Sequence, residues 1–373
     1  MSDFLPFTRP TIDEETIAAV VDVLRGGWIT SGPRVAEFEK GLADYLGGQR
    51  QVRSMTSATG GMEMALKAMG VGPGHEVIVP AMSFAASANV VERLGAHAVF
   101  VDVELRSRNL TAAAVAAAIT PRTRVVMPVH FSGLSVGMDP INELAAARGL
   151  RVLEDAAHAI GTRDDGRLIG SFGDVASFSF HANKNLTTVE GGALSFTDPA
   201  LALPLDRERF HGITKDAAGN VDVYAAGGKY NLTDVAAAIG VGQLRRLDEF
   251  NARRRHLAQR YYARLLPRWP ADMLPADGAG HSWHMFAVLI PFARLGTTRD
   301  AFVAGMRARG VGLGIHYPSI PALTYYRQLG WDPAAFPNSD RIGAETVTLP
   351  LFPAMADGDV DRVCDALFEL VKI

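Results

Sequence analysis

Val125-Val-Met-Pro-Val-His-Phe131, Ile141-Asn-Glu-Leu-Ala-Ala-Ala-Arg148 and Arg151-Val-Leu-Glu-Asp155 follow one another closely, and their order decides the fold. The first and third are short apolar runs; the second carries apolar residues at helical spacing. Strand, helix, strand is the unit of a parallel sheet, because parallel neighbours need a crossover between them. The same alternation extends outward. Further candidate strands lie at 76–80, 98–103, 175–180 and 192–196, and Met62, Ala65, Leu66 and Met69 recur at helical spacing. These valine-, isoleucine- and phenylalanine-rich runs suit strands buried on both faces. The expectation is an α/β fold with a mostly parallel, helix-covered sheet.

The pattern changes after about residue 232. Residues 233–266 read as one long or kinked helix, and 267–280 are rich in proline and glycine. Then come strand 285–290, helix 299–309, strand 312–316 and a final helix 359–371, a small α+β unit. The division expected is a large domain, 1–250, and a small C-terminal one, 251–373. The alanine runs 112–118 and 236–238 read as ordinary helix.

Composition narrows the function classes. The 373 residues carry 37 basic and 40 acidic side chains, net charge −3, which leaves no electrostatic footprint for nucleic acid or an anionic membrane. A single cysteine, Cys364, excludes an intrachain disulfide and a multi-cysteine metal site; among Val360, Val363, Leu367 and Leu370 it reads as a buried structural thiol. No apolar run reaches the roughly 20 residues of a membrane span. Residues 1–10 hold acid and proline where a signal peptide would hold a basic patch and an apolar run. A cytoplasmic location is expected.

Three segments could carry chemistry. Ser57-Ala-Thr-Gly-Gly61 leads into a helix, where free N–H groups and the dipole favour a phosphate; equally, Ser57 or Thr59 could simply cap that helix. Asp155 ends an apolar strand at the carboxyl edge of the sheet, where open α/β folds bind ligands, and His158 follows; the plainer reading is a helix cap and a satisfied histidine. Lys184 follows the run at 175–180 and precedes Glu190-Gly-Gly192; buried, its amine could act as a nucleophile, and otherwise it is a solvated loop lysine. Together they are the three anchors of pyridoxal phosphate: a cradle for the phosphate, an acid for the ring nitrogen and a lysine for the Schiff base. Phe84 could stack on the ring, or pack in the core.

Motifs along the whole chain then resemble the DegT/DnrJ/EryC1/StrS sugar aminotransferases, fold-type I enzymes built like aspartate aminotransferase. They include Gly27-Trp-Ile-Thr-Ser-Gly-Pro33, Ser57-Ala-Thr-Gly-Gly-Met62, Glu154-Asp-Ala-Ala-His158, Ser179-Phe-His-Ala-Asn-Lys-Asn185, Lys229-Tyr-Asn-Leu-Thr-Asp234 and Gly314-Ile-His-Tyr-Pro318. The resemblance implies Lys184 as the Schiff-base lysine and Asp155 as the partner of the pyridine nitrogen. Ala58, Thr59 and Ser179 would meet the phosphate, Phe84 the ring face, and His158 the cofactor beside Asp155. Asn231 would reach the phosphate of the other subunit, implying a homodimer with shared active sites. His316, Tyr317, Lys229 and His181 would approach the substrate.

The activity implied is amino transfer from L-glutamate, giving 2-oxoglutarate, to a keto sugar nucleotide. The substrate implied is a UDP-linked 4-keto sugar of the 4-amino-4-deoxy-L-arabinose type. Other nucleotide sugars, amination at C3, an aminocyclitol or a non-catalytic regulatory relative are the alternatives. A branch that dehydrates has histidine in place of the lysine; Lys184 is intact. Asn183 and Gly60 depart from the nearest relatives. A metal site on His281 and His284 fits no helical i, i+4 pair and lacks a third ligand.

Overall fold

The computed structural model describes residues 4–216 and 218–371, so the first three residues of the stretch read for a signal peptide lie outside them. The strands are β1 (Gln51–Met55), β2 (Glu76–Pro80), β3 (His97–Val101), β4 (Thr123–Val126), β5 (Arg151–Asp155), β6 (Arg163–Asp164), β7 (Arg167–Leu168), β8 (Val175–Ser179), β9 (Gly192–Phe196), β10 (Ile213–Lys215), β11 (Val221–Val223), β12 (Phe286–Leu289) and β13 (Thr346–Leu349). Seven form one sheet in the order β1-β9-β8-β5-β4-β2-β3. Strands β3, β2, β4, β5 and β8 are parallel; β9 alone is reversed, antiparallel to both β8 and β1.

The strand composition follows from this burial. Every residue of β2 and β9 is buried, because helices cover both faces. Alternate side chains feed separate cores: Val77 and Val79 pack with Met62 and Leu66 on one face, while Ile78 packs with Phe38 and Leu42 on the other. A third core joins β12, β13 and the helices Leu247–Leu265 and Asp357–Val371, and takes in Leu5 from the far end of the chain.

Several expectations are corrected. Residues 312–316 form no strand. Gly312 donates to Leu5 O and Gly314 pairs with Thr348, so the segment gives one residue to each neighbour and turns away. The run at 125–131 ends as regular strand at Val126, and beyond Pro128, which has no N–H to give, Val129 makes only an isolated bridge to Asp155. The long helix is two, Asp234–Arg245 and Leu247–Leu265, broken at Arg246. Edge strand β1 was not foreseen. Among the described residues, no helix is long and apolar enough to cross a membrane.

Candidate active site

The carboxyl ends of β5 and β8 open into a cavity of about 360 Å³. Its walls bring together Ala58, Thr59, Phe84, Asp155, His158, Ser179, His181, Lys184, His316 and Tyr317, ten of the twelve residues singled out above. Asn231 and Lys229 are not among them.

Helix Ala58–Ala68 starts at the cavity because Ser57 is its N-cap, extended, with Oγ accepting from Gly60 N at 3.0 Å. The capping reading of Ser57 is therefore met. The N–H groups of Ala58 and Thr59 have no acceptor within the helix and remain to meet an anion. Gly192, at the start of β9, passes directly beneath. A Cβ there would stand 2.4 Å from Ala58 N, 2.5 Å from Ser57 C and 2.8 Å from Phe178 O, all backbone atoms. Gly192→Ala is therefore expected to destabilise the chain by about 3 kcal/mol, the upper end of overpacking in a dense core, and to weaken cofactor retention. Denaturant midpoints of the apoprotein and dialysis of the holoenzyme check both; a wild-type midpoint would show that the cradle can give.

Asp155 ends β5, 4% exposed. Oδ2 accepts from Ser87 Oγ at 2.7 Å and Oδ1 from Ala157 N at 3.1 Å. Burial pushes its carboxyl up, against those two donors and the charges of Lys184 and His130. Lys184 lies on the turn after β8, its backbone N–H bonded to His181 O. Burial lowers its amine to about 8, partly offset by Asp155. An amine near 8 is a usable nucleophile and base at neutral pH.

His158 is neutral, held well below its usual range by burial and by Lys184 and His316. Its Nδ1 accepts from Ser132 N at 3.3 Å, which leaves Nε2–H to donate to Tyr317 Oη at 3.4 Å. Burial pushes the Tyr317 phenol up, so it stays a hydroxyl. His316, lowered to about 4 by burial, Lys184 and Arg108, pairs Nδ1 with Thr348 Oγ1 at 2.9 Å. Phe84 is 56% exposed, 5.4 Å from the Tyr317 ring, which excludes the core-packing reading.

Asn231 lines a separate cavity of about 390 Å³ with Thr188, Val189 and Glu190. It donates to Ser31 Oγ at 2.6 Å and accepts from Lys229, whose ammonium also lies over the Phe210 ring. Val189, between the cavities, holds φ at 73°, a left-handed conformation rare for a β-branched residue.

Three contributors were not foreseen. Ser83 and Ser87 connect the cavity to Asp155; their four-residue spacing was visible, but nothing in it pointed to the acid. His284, weighed only as a metal ligand, instead packs 4.5 Å from His158 and bonds Asn185 Oδ1 at 3.2 Å. His281 stacks on Trp283 at 3.8 Å. Cys364 is buried, its thiol pushed up to about 12, as expected of a structural residue.

The model of the DegT/DnrJ/EryC1/StrS aminotransferase family matches residues 10–368. Solved structures agree over nearly the full length. TlmJ, an aminotransferase from Streptoalloteichus hindustanus, is 35% identical at TM-score 0.89, covering 99% of each chain. DesV from S. venezuelae, solved with a ketimine intermediate, is 32% identical at TM-score 0.88, covering 99% of this chain and 100% of its own. Spr1654 from Streptococcus pneumoniae, in its PMP form, is 30% identical at TM-score 0.91, covering 99% of this chain and 98% of its own. The residues present fit pyridoxal phosphate: an open helix N-terminus over a glycine that clears the backbone, a buried acid at a strand end, an exposed aromatic face and a lysine in one cavity.

Proposed function

The chain belongs to the DegT/DnrJ/EryC1/StrS aminotransferase family, and on that premise we propose that it moves an amino group from L-glutamate onto a keto sugar nucleotide, a UDP-linked 4-keto sugar being the first candidate. It is an enzyme, and its cofactor is pyridoxal phosphate. When bound, that cofactor supplies the carbon that receives the amino group and a ring that draws off negative charge. The chain's own residues do the rest. Ala58 N–H, Thr59 N–H and Ser179 Oγ hold the phosphate. Phe84 covers one ring face. Asp155 would meet the ring nitrogen, with His158 beside it. Lys184 Nζ would hold the cofactor covalently, and its free amine would take the proton from the amino acid Cα.

One observation carries this reading: Lys184, its amine lowered to about 8, shares a cavity with Asp155 and an open helix N-terminus. His316, Tyr317 and His181, at the remaining walls, are assigned to the substrate. Asn231 lies outside its own cavity, and Trp28, Ile29 and Val189 stand exposed. Both features support a homodimer in which Asn231 of one copy completes the other copy's site, with Lys229 near the sugar nucleotide. Residues 1–250 hold the cofactor anchors, 251–373 close over the substrate, and the enzyme works in the cytoplasm.

A panel of UDP-, dTDP- and GDP-linked 3-keto and 4-keto sugars tests the substrate. Each is added to the pyridoxamine form of the enzyme, and the loss of its absorbance is followed. The UDP-4-keto sugar is expected to discharge it fastest. Discharge by a keto aminocyclitol precursor and by none of the nucleotide sugars would sink the assignment.

A further inference from the structure

Ser87 Oγ lies 2.7 Å from Asp155 Oδ2, and Ser83 Oγ lies 2.7 Å from Ser87 Oγ. Ser83 is 2% exposed and Ser87 fully buried, and Ser83 also lines the cofactor cavity. A hydroxyl has one proton, and an ionised carboxylate can only accept. Ser87 therefore gives its proton to Asp155; the Phe84 carbonyl, at 3.3 Å, is the weaker competitor for it. Ser83 must then donate to Ser87, leaving lone pairs for the cavity. Were Asp155 protonated, the row would reverse, and Ser83 would offer its proton to the cavity instead. The direction of two hydroxyls records the state of one acid.

The groups facing Asp155 come from every element around it. Ser87 stands on helix Ala86–Arg93, Ala157 follows β5, His130 follows β4, Lys184 follows β8, and Tyr317 arrives from the C-terminal part. Ser87 is the nearest side-chain donor, and the only one of these side chains that cannot change charge. A bond of this length to a charged acceptor is of the stronger kind. Removing it alters the acid without altering any neighbouring charge.

Resting on the reading of Asp155 as the partner of the ring nitrogen, we propose that Ser87 is a positioning residue for transamination: backed by Ser83, its hydroxyl keeps Asp155 ionised and oriented to take the cofactor's ring N–H. Ser83 accordingly presents acceptor lone pairs to whatever fills the cavity beside it.

The test uses holoenzyme reconstituted with pyridoxal phosphate carrying nitrogen-15 in the ring, whose chemical shift reports ring protonation, together with kcat and KM. In Ser87→Ala the resonance is expected to move toward the unprotonated position. Its kcat is expected to fall about tenfold, as for loss of one hydrogen bond to a charged group, with KM for the amino donor unchanged. Ser87→Thr is expected to restore both. Ser83→Ala, which leaves Ser87 in place, is expected to move the resonance part of the way, and it decides the matter if Ser87→Ala does not fold. Asp155→Asn is the control. If Asp155→Asn moves resonance and kcat while both serine variants match wild type, the serine role is overturned and the reading of Asp155 stands. If Asp155→Asn moves neither, that reading fails and this one with it. Failure of Ser87→Thr to restore what Ser87→Ala loses reduces Ser87 to packing and overturns the proposal.

Discussion

Lys184→Ala is expected to lower kcat by on the order of 10³-fold or more, since in the proposed mechanism one side chain supplies both the covalent anchor and the base. The fold should survive, because the Lys184 backbone keeps its bond to His181 O and the lost amine belongs to the cavity. Borohydride treatment of wild type should leave a pyridoxyl group on the peptide holding Lys184, and treatment of the variant should leave none; turnover above the contaminating background would remove Lys184 from the mechanism. The amine also sets a pH dependence. Its folded pKa is lowered from 10.5 to about 8, so between these values the unfolded chain binds a proton that the folded chain has released. Stability therefore rises with pH across that window, and below about 8 the penalty of burying the charge is fully present. At pH 7 the alanine apoprotein should be at least as stable as wild type, while wild-type capture of pyridoxal phosphate should climb with pH to a midpoint near 8.

Asp155→Asn is the second large effect, a fall in kcat of roughly 10²–10³-fold, the scale seen when one electrostatic contact to developing charge is removed. The amide is nearly isosteric, so the cavity keeps its shape. What it lacks is the charge that, in the proposed mechanism, holds a proton on the ring nitrogen. The folded-state pKa of Asp155 is raised, so its ionised form opposes folding at all pH values above that raised pKa, and the asparagine relieves this. Against that, with Oδ1 accepting from Ala157 N the amide must donate to Ser87 Oγ, which reverses the serine row. An unchanged melting temperature with kcat near wild type would dismiss Asp155 from the chemistry. Both proposed anchors carry a charge whose burial works against stability, as active-site groups commonly do.

The legible part of this protein is the part written in local chemistry. The buried strands β2, β5 and β9 show continuous apolar runs, and the expected bounds 76–80, 151–155 and 192–196 coincide with them. Lys184, Asp155 and the Ser57 turn stood out by residue type and position relative to a strand, and the structure brings them to one cavity. What stayed hidden depends on distant partners. Strand β1, Gln-Val-Arg-Ser-Met, has no sustained apolar pattern, and it is a strand because β9 pairs with it. Glycines 312 and 314 look like part of a strand, yet each bonds to a different neighbour. Ser87 is an ordinary small residue until Asp155 is placed 2.7 Å away.

The pairing of β1 with reversed β9 also fixes when the site can come into being. The residues that follow β1 reach Gly192 only through that ladder, and His316 and Tyr317 enter the same cavity from much later in the chain. Leu5 is bonded on both sides to Gly310 and Gly312, so the earliest described segment waits for one of the last. On the ribosome, the nascent chain could stack the helix-covered strands β2 to β8 as they emerge, but no stage before release of the C-terminal third presents a finished cavity. Completion of the cavity wall is therefore a late event, whereas the proposed cofactor anchors all precede residue 250. A chain truncated before His316 should be able to fold its central sheet and still lack the His316 and Tyr317 wall of the cavity.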